Sequence, residues 1–355
     1  MKMTVCKELL SGKNGLLCGA KNRFRRFFEG LRFSASPFLS KEITTSVNGL
    51  FILVVFFSHI QQYIELPALI HGVTAALGQL MVAMFLFYSG YGVGCSVQKK
   101  GMKYVHGMPR RRILQVFLRF VPAVLLYALL DVACGIPFTG REFILSLIAW
   151  ENLGNSNWYI FVILGLYLAT WLACEICGRF VKESRREMAS FLVMCVLSAC
   201  LFFFLHETKE SWWYNIMTAY PFGYFVALTR KRWERILDVR PVWAGTTLVS
   251  FVLVLLLRPV SWHASLYLLM TVLYCTCILC LTKKVPVHHP VLYWLGSHLF
   301  EIYILMRIPM ILLLRVQVDW IQSPLVFTVF SLAATLLLAY GYHRSYEFLA
   351  SRLAR

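Results

Sequence analysis

Ten apolar stretches, each about as long as a membrane-spanning helix, constrain this chain more than any other feature of its sequence. A helix rises about 1.5 Å per residue, so roughly 20 apolar residues cross a hydrocarbon core of about 30 Å. Apolar residues make up 59% of the chain and charged residues 15%, a balance typical of proteins whose surroundings are largely lipid. The sequence therefore predicts an all-α polytopic membrane protein with about ten transmembrane helices. The predicted spans cover residues 45–64, 75–97, 113–131, 158–178, 189–205, 214–229, 242–257, 264–281, 291–314 and 325–342.

The net charge of +18 is explained by where the basic residues lie. In a soluble protein such an excess would indicate nucleic-acid binding. Here 29 of the 35 Lys and Arg residues fall in the two ends of the chain and in alternate loops, as the positive-inside rule requires. This distribution predicts that both termini are cytoplasmic. It also predicts a multi-pass membrane protein with membrane lipid around it and no nucleic-acid partner.

The sequence divides into a basic segment of residues 1–44, a transmembrane domain of residues 45–345 and a short basic tail of residues 346–355. Residues 21–33 interleave arginines with phenylalanines, which indicates either an amphipathic helix lying on an anionic inner leaflet or a disordered basic tail. The first residues lack the features of a signal peptide. Most of the eleven cysteines lie inside predicted spans at spacings that do not suit a metal site, so no bound metal is predicted.

Ionisable side chains inside predicted spans are costly and therefore mark candidate functional positions. In the first span, His59 follows Asn48 by eleven residues, about three helical turns, so both side chains share one face. At the start of the third span, an α-helix would place Arg112, Gln115 and Arg119 in one stripe leading inward from the basic surface. Arg119 would lie about 9 to 10 Å deep, where it needs an anionic partner, a carbonyl or an aqueous cavity.

The ninth span carries three ionisable residues, His298, Glu301 and Arg307. One interpretation is structural, with two ion pairs that join Arg119 to Glu301 and Asp131 to Arg307. The other is a polar cavity open to the cytoplasm through a basic entrance, with a histidine farther out. Such a cavity suits an anionic cytoplasmic cofactor whose reactive group must reach a base.

The second span ends in small and hydroxyl-bearing residues, among them Ser89, Gly90 and Tyr91. Small residues in a membrane helix let a neighbouring helix approach closely. They also leave backbone and hydroxyl groups open to a ligand. The sequence alone does not choose between these two interpretations.

These residues and their surroundings resemble a known family, the acyltransferase-3 membrane proteins, which move acyl groups onto cell-surface sugars and related acceptors. NGLFILVVFFSHI is similar to the family's opening helix, which ends in a histidine, and MFLFYSGYGVG is similar to its SG(F/Y) segment. PRRRILQVFLRFVP resembles the basic motif, SNWYI the tryptophan motif, PFGYFVAL the FG turn and LGSHLFEIYILMRIP the late helix. The matches occur in order over about residues 45–345.

The match is incomplete at four polar positions of the family pattern. These positions hold Asn48, Gln115, Leu299 and Met306 here. The residues that match are His59, Ser89, Gly90, Tyr91, Arg112, Trp158, Glu301 and Tyr303.

The resemblance implies an enzyme, an acyltransferase that takes an acyl group from cytoplasmic acyl-CoA, with acetyl-CoA expected as donor substrate and no tightly bound cofactor. The acceptor would be a hydroxyl of a glycan or a lipid-linked molecule. Three residues are expected to be catalytic: His59 as general base or transient acyl carrier, Arg119 at the thioester carbonyl or the phosphates, and Glu301 to orient a basic partner. The residues expected to bind substrate are Asn48, Ser89, Gly90, Tyr91, Arg111, Arg112, Gln115, Trp158, Tyr303 and Arg307.

Two other functions remain open on the sequence. A transporter or flippase of glycan or lipid-linked substrates would also have a polar midplane, with Pro122 and Pro309 marking interrupted helices. A catalytically degenerate binding member of the family would explain Asn48, Gln115 and Met306. Some family members carry an additional domain after the last span. Here we expect direct acylation of the acceptor, or passage of the acyl group to a separate extracytoplasmic acyltransferase partner.

Overall fold

The computed structural model describes residues 38–261, 263–285, 287–316 and 318–353, and within these ranges the chain is helical with no β-strand. The predicted amphipathic segment at residues 21–33 lies outside the described residues. The α-helices are α1 (Lys41–Ile60), α2 (Ala68–Lys100), α3 (Met102–Met108), α4 (Gln115–Ala133), α5 (Gly140–Leu147), α6 (Trp158–Phe180), α7 (Glu183–Thr208), α8 (Ala219–Leu228), α9 (Arg230–Asp238), α10 (Arg240–Leu257), α11 (Ala264–Lys284), α12 (Pro290–Ser297), α13 (Leu299–Leu305), α14 (Arg307–Arg315) and α15 (Pro324–Leu353).

Eight helices in the described ranges are long and apolar enough to cross a membrane, which confirms the predicted fold class. Helices α12 and α13–α14 meet at a bend of 62° and together have the length and composition of one further span. The predicted span at residues 214–229 is different, because its helix α8 has ten residues and is only about 15 Å long. Trp213, Tyr220 and Tyr224, in and just before α8, are almost fully buried. The apolar run therefore packs inside the protein, where irregular backbone at its start is tolerated.

Glycines allow α8 to lie directly against α2. A β-carbon at Gly223 would overlap the carbonyl group of Phe87, and one at Gly90 would overlap the carbonyl group of Tyr220. The two backbones therefore touch at both positions. This contact indicates that Gly90 serves helix packing and not ligand binding. It does not bear on whether the neighbouring Ser89 binds a ligand.

We expect Gly223→Ala to lower the stability of the protein, because the added methyl group forces α8 away from α2. Overpacking of this kind costs about 1–3 kcal/mol. The measurement is the midpoint of thermal unfolding of the purified protein in detergent. Gly92→Ala on α2 is the control, since a β-carbon there meets nothing within 4 Å and alanine favours the helix. Equal midpoints for the two variants would refute the close contact.

The ninth span bends by 62° at His298, and α13 gives way to α14 at Met306, three residues before Pro309. His298 lies between α12 and α13, and its Nδ1 atom donates to the carbonyl oxygen of Trp294 at 2.9 Å. Pro309 lies in the first turn of α14, where a missing N–H costs little, and α4 continues through Pro122. The interruption considered at Pro122 is therefore absent, whereas an interruption does lie just before Pro309. The bend directs Glu301 toward α4 and α15, and Arg307 toward α1.

Candidate functional site

A polar cavity of about 450 Å³ lies at the carboxyl end of α1, away from the end of the bundle that carries Lys41 and Lys100. It is bounded by α1, α2, the loop before α6 and the bent ninth span. Four predicted site residues meet there: His59, Trp158, Tyr303 and Arg307. The remaining lining residues are Val55, Ser58, Gln62, Gly78, Gln79, Val82, Asn152, Gly154, Asn155, Ser156 and Trp212.

Arg307 is the side chain that contacts His59 most directly. Its Nη2 atom lies 2.9 Å from Nδ1 of His59 and 2.8 Å from Oε1 of Gln62, and its Nη1 atom lies 3.3 Å from the carbonyl oxygen of Gly154. The predicted ion pair between Asp131 and Arg307 is not formed, so that prediction was wrong. The reason is the bend of the ninth span, which directs the guanidinium toward α1.

The contact with Arg307 fixes which nitrogen of His59 carries the hydrogen. A guanidinium has only donors, so Nδ1 must accept, and the neutral ring carries its hydrogen on Nε2. The ring of Tyr303 meets the imidazole edge to face, with 6.5 Å between the ring centres. Tyr303 and Arg307 thus hold the orientation of His59 from two directions.

Side-chain amides shape the loop before α6. The Oδ1 atom of Asn152 accepts from the backbone N–H of Asn157 at 2.9 Å, and Lys209 reaches from the end of α7 to donate to the carbonyl oxygen of Trp150 at 2.8 Å. Gly154 has a φ of +78°, which favours glycine at this turn. The loop is therefore fixed at both ends, and it presents the carbonyl oxygen of Gly154 to Arg307.

Tyrosines connect this cavity to the basic end of the bundle. The ring of Tyr303 lies 5.3 Å from that of Tyr159 on α6. Two turns farther along α6, Tyr167 shares a hydrogen bond with Ser89 and lies beneath the guanidinium of Arg112, which is 5.9 Å from its ring centre. Ser89 and Arg112, both predicted site residues, thus meet at Tyr167. They lie roughly 12 Å along α6 from the level of His59.

Arg112 is held by a second tyrosine. Its Nε atom donates to the hydroxyl of Tyr104 on α3 at 3.0 Å. The residues that follow do not continue the predicted stripe, because Pro109–Leu114 is a π-helical turn with a wider repeat. Arg111 and Gln115 are exposed as a result, while Arg119 lies against a different group of residues.

Glu301 and Arg119 form a separate polar cluster. The carboxylate of Glu301, which is 1% exposed, lies 3.6 Å from Nη1 of Arg119 and 3.0 Å from Nδ1 of His343 on α15. This confirms the predicted pair of Arg119 with Glu301. Neither residue lines the cavity of His59, so the structure does not bring the three expected catalytic residues together. The cluster joins α4, α13 and α15.

Three further predicted residues lie away from both groups. Asn48 is half-buried, and its Oδ1 atom has no hydrogen-bond partner. Tyr91 is buried on α2, and Gly90 packs against α8. None of the three lines the cavity of His59.

Sequence reasoning missed His343, Tyr167 and the amides of the loop before α6. His343 follows the predicted end of the last span by one residue, and an ionisable side chain so close to the membrane could have marked it as a candidate. Tyr167 gave no such signal, since tyrosine is common in membrane helices. Asn152 and Asn155 precede the SNWYI motif but lie in a loop, where side-chain amides are ordinary.

Residues 47–344 match the family model described as an acyltransferase domain, Acyl_transf_3. No curated protein and no solved structure matches the chain. The matched residues include the cavity of His59, the tyrosines of α6 and the cluster around Glu301.

Proposed function

The chain belongs to the acyltransferase-3 family of membrane proteins, and on that premise we propose that it transfers an acyl group from cytoplasmic acyl-CoA, expected to be acetyl-CoA, to an acceptor hydroxyl in the cavity of His59. The observation that carries this proposal is the cavity with a histidine and several other polar side chains in its wall. A histidine suits the reaction because it can accept a proton from a hydroxyl near neutral pH and return it to a leaving group. The same proposal places the protein in the plasma (inner) membrane.

In the proposed reaction the acceptor hydroxyl oxygen attacks the carbonyl carbon of the thioester. The bond between that carbon and sulfur breaks, the hydroxyl proton passes to His59, and the imidazole then protonates the departing thiolate. His59 in the role of transient acyl carrier would add one acyl-imidazole step between donor and acceptor. In both versions Tyr303 keeps the imidazole in place.

The chemistry of the cavity wall supports a carbohydrate acceptor, either a glycan or a lipid-linked sugar. The rings of Trp158 and Trp212 offer flat apolar surfaces, and the amides of Gln79, Asn152 and Asn155 offer donors and acceptors for hydroxyl groups. A cavity lined in this way can hold a molecule with one apolar face and many hydroxyls. A pyranose ring has that character.

Arg112 is the residue best placed to hold the donor. It lies near the basic end of the bundle with a half-buried guanidinium on the ring of Tyr167, and a guanidinium pairs strongly with phosphate. The hydroxyl groups of Ser89 and Tyr167 lie next to it and can contact the chain that joins the phosphates to the thioester. The acyl group would then extend along α6 toward His59.

We therefore expect Arg112→Gln to raise the KM for acetyl-CoA by about 10- to 100-fold, the value of one lost hydrogen bond to a charged group. The measurement is transfer of radiolabelled acetyl groups by the purified protein in lipid nanodiscs. Arg110→Gln is the matched control, because Arg110 is exposed in the same π-helical turn. An unchanged KM in Arg112→Gln, or an equal increase in both variants, would contradict this assignment.

A further inference from the structure

The wall of the His59 cavity contains the charged side chain of Arg307, and no carboxylate is among the described residues that line this cavity. Arg307 is the charged residue among the described lining residues. Its contacts are neutral groups: the ring of His59, the amide of Gln62, the carbonyl group of Gly154 and the hydroxyl group of Tyr63. A guanidinium at membrane depth is stabilised best by an anion. The cavity is therefore electropositive before any substrate enters.

Two further donors have no partner in this cavity wall. The Nε atom of Arg307 is buried without a hydrogen-bond acceptor, and so is Nδ2 of Asn155, a residue that is 4% exposed. Buried donors of this kind are rare because each costs free energy when it stays unpaired. Both belong to residues that line the same space. Convergent donors without acceptors fit a ligand that carries negatively charged oxygens.

The guanidinium of Arg307 donates a hydrogen bond to the lone pair of His59 that a general base needs. A neutral imidazole has one nitrogen that can accept a proton, and in His59 this is Nδ1, which accepts from Arg307 at 2.9 Å. With Arg307 in this position, His59 can donate from Nε2 but cannot act as a base. The geometry is therefore that of a resting site.

We propose that the acceptor carries a carboxylate or a phosphate group, and that pairing of this group with Arg307 draws Nη2 away from Nδ1 and frees His59 to act as a base. The inference rests on the function proposed above and names its substrate class, an acidic sugar or a sugar phosphate. The freed Nδ1 accepts the proton of a hydroxyl on the same acceptor while its oxygen attacks the thioester. An acceptor without an anionic group leaves the base occupied.

Binding tests the anion site without any need for turnover. We expect the purified protein to bind glucuronate or glucose 1-phosphate at least about tenfold more tightly than glucose, by isothermal titration calorimetry. The stronger of the two anions identifies carboxylate or phosphate as the recognised group. Arg307→Gln should remove the difference, and Arg307→Lys should retain part of it. Arg315→Gln is the control, since Arg315 is exposed at the far end of α14.

Equal binding of glucose and both anions by the unchanged protein would overturn the anion site. An undiminished preference in Arg307→Gln, with a thermal midpoint near that of the unchanged protein, would overturn the role of Arg307. If all the anions bind as expected but no acetyl group is transferred to any acceptor, the proposed function fails and the anion site stands.

Turnover tests the gating step. We expect the ratio of kcat/KM for the preferred anionic sugar to that for glucose to fall from at least about tenfold to near unity in Arg307→Gln. Carbethoxylation of His59, followed by peptide mass spectrometry, should be several-fold faster in the same variant because its lone pair is free. An unchanged rate of His59 modification would contradict the gate, whatever the transfer activity.

Discussion

Replacing His59 by glutamine is expected to lower the turnover of acyl transfer by about 10²- to 10⁴-fold, the contribution that a positioned general base makes. Glutamine keeps an acceptor for Arg307, so the cavity should retain its shape while it loses the group that carries the proton. The measurement is transfer of radiolabelled acetyl groups from acetyl-CoA by the protein in nanodiscs. The KM for acetyl-CoA should change little, because the donor is held near Arg112.

The control for His59→Gln is His206→Gln. His206 is exposed near the end of α7 and does not line the cavity, so this variant should transfer acetyl groups at the unchanged rate. Full activity of His59→Gln would exclude His59 from the reaction. Equal losses in both variants would point to a general effect of substituting histidine.

A mass measurement separates the two roles of His59. Incubation of Arg307→Gln, in which Nδ1 of His59 is free, with labelled acetyl-CoA and no acceptor should leave a labelled acetyl group on the His59 peptide if the imidazole is an acyl carrier. A general base leaves that peptide unlabelled. Both results agree with the proposed function, and they differ in the number of chemical steps.

The second large effect is expected on stability and not on the chemical step. Arg119→Met should lower the stability toward the lower end of the roughly 3–5 kcal/mol that breaking a buried ion pair costs, because Arg119 is 32% exposed while Glu301 is 1% exposed. The variant leaves the Glu301 carboxylate with its hydrogen bond to Nδ1 of His343. The measurement is the midpoint of thermal unfolding in one detergent.

A second substitution shows whether the ion pair is the cause. Adding Glu301→Gln to Arg119→Met should restore part of the lost stability, because a neutral amide is less costly to bury than an unpaired carboxylate. A double variant that is less stable than either single variant would contradict this explanation. If Glu301 and Arg119 position helices only, folded variants should keep their KM for acetyl-CoA.

The fold class could be predicted from the sequence because each membrane-spanning helix needs about 20 consecutive apolar residues, a pattern that is visible in the sequence. The length of α8 could not be predicted. Its sequence is apolar but short, and Gly90 and Gly223 let the segment enter the protein interior. Hydropathy measures how apolar the side chains are, and apolar side chains suit both lipid and the interior of a protein.

The candidate site could be predicted in part. His59 and the pair of Arg119 with Glu301 were accessible because ionisable residues in lipid require a reason. The contact of Arg307 with His59 was not, since it depends on a 62° bend at His298, where the sequence has no proline. The predicted stripe from Arg112 to Arg119 does not form, because the turn Pro109–Leu114 is π-helical and does not have the α-helical repeat of about 3.6 residues.

The departures from the family pattern have different structural settings. Met306, at the position of the family's late histidine, is fully buried, and the next residue, Arg307, supplies a polar contact to His59. Asn48 leaves a buried acceptor without a partner. The neighbouring arginine supports an altered polar site around His59, and its test is the comparison of anionic with neutral acceptors.

Mass spectrometry of surface glycans and lipids shows directly whether His59 carries out acyl transfer in cells. The cells to compare carry the unchanged gene, no gene, or the His59→Gln variant at equal protein levels. We expect an acceptor that bears one additional acyl group in the first cells only, and labelled acetate should enter that group. The same acylated acceptor in all three, or its loss without the gene but not with His59→Gln, would contradict acyl transfer at His59.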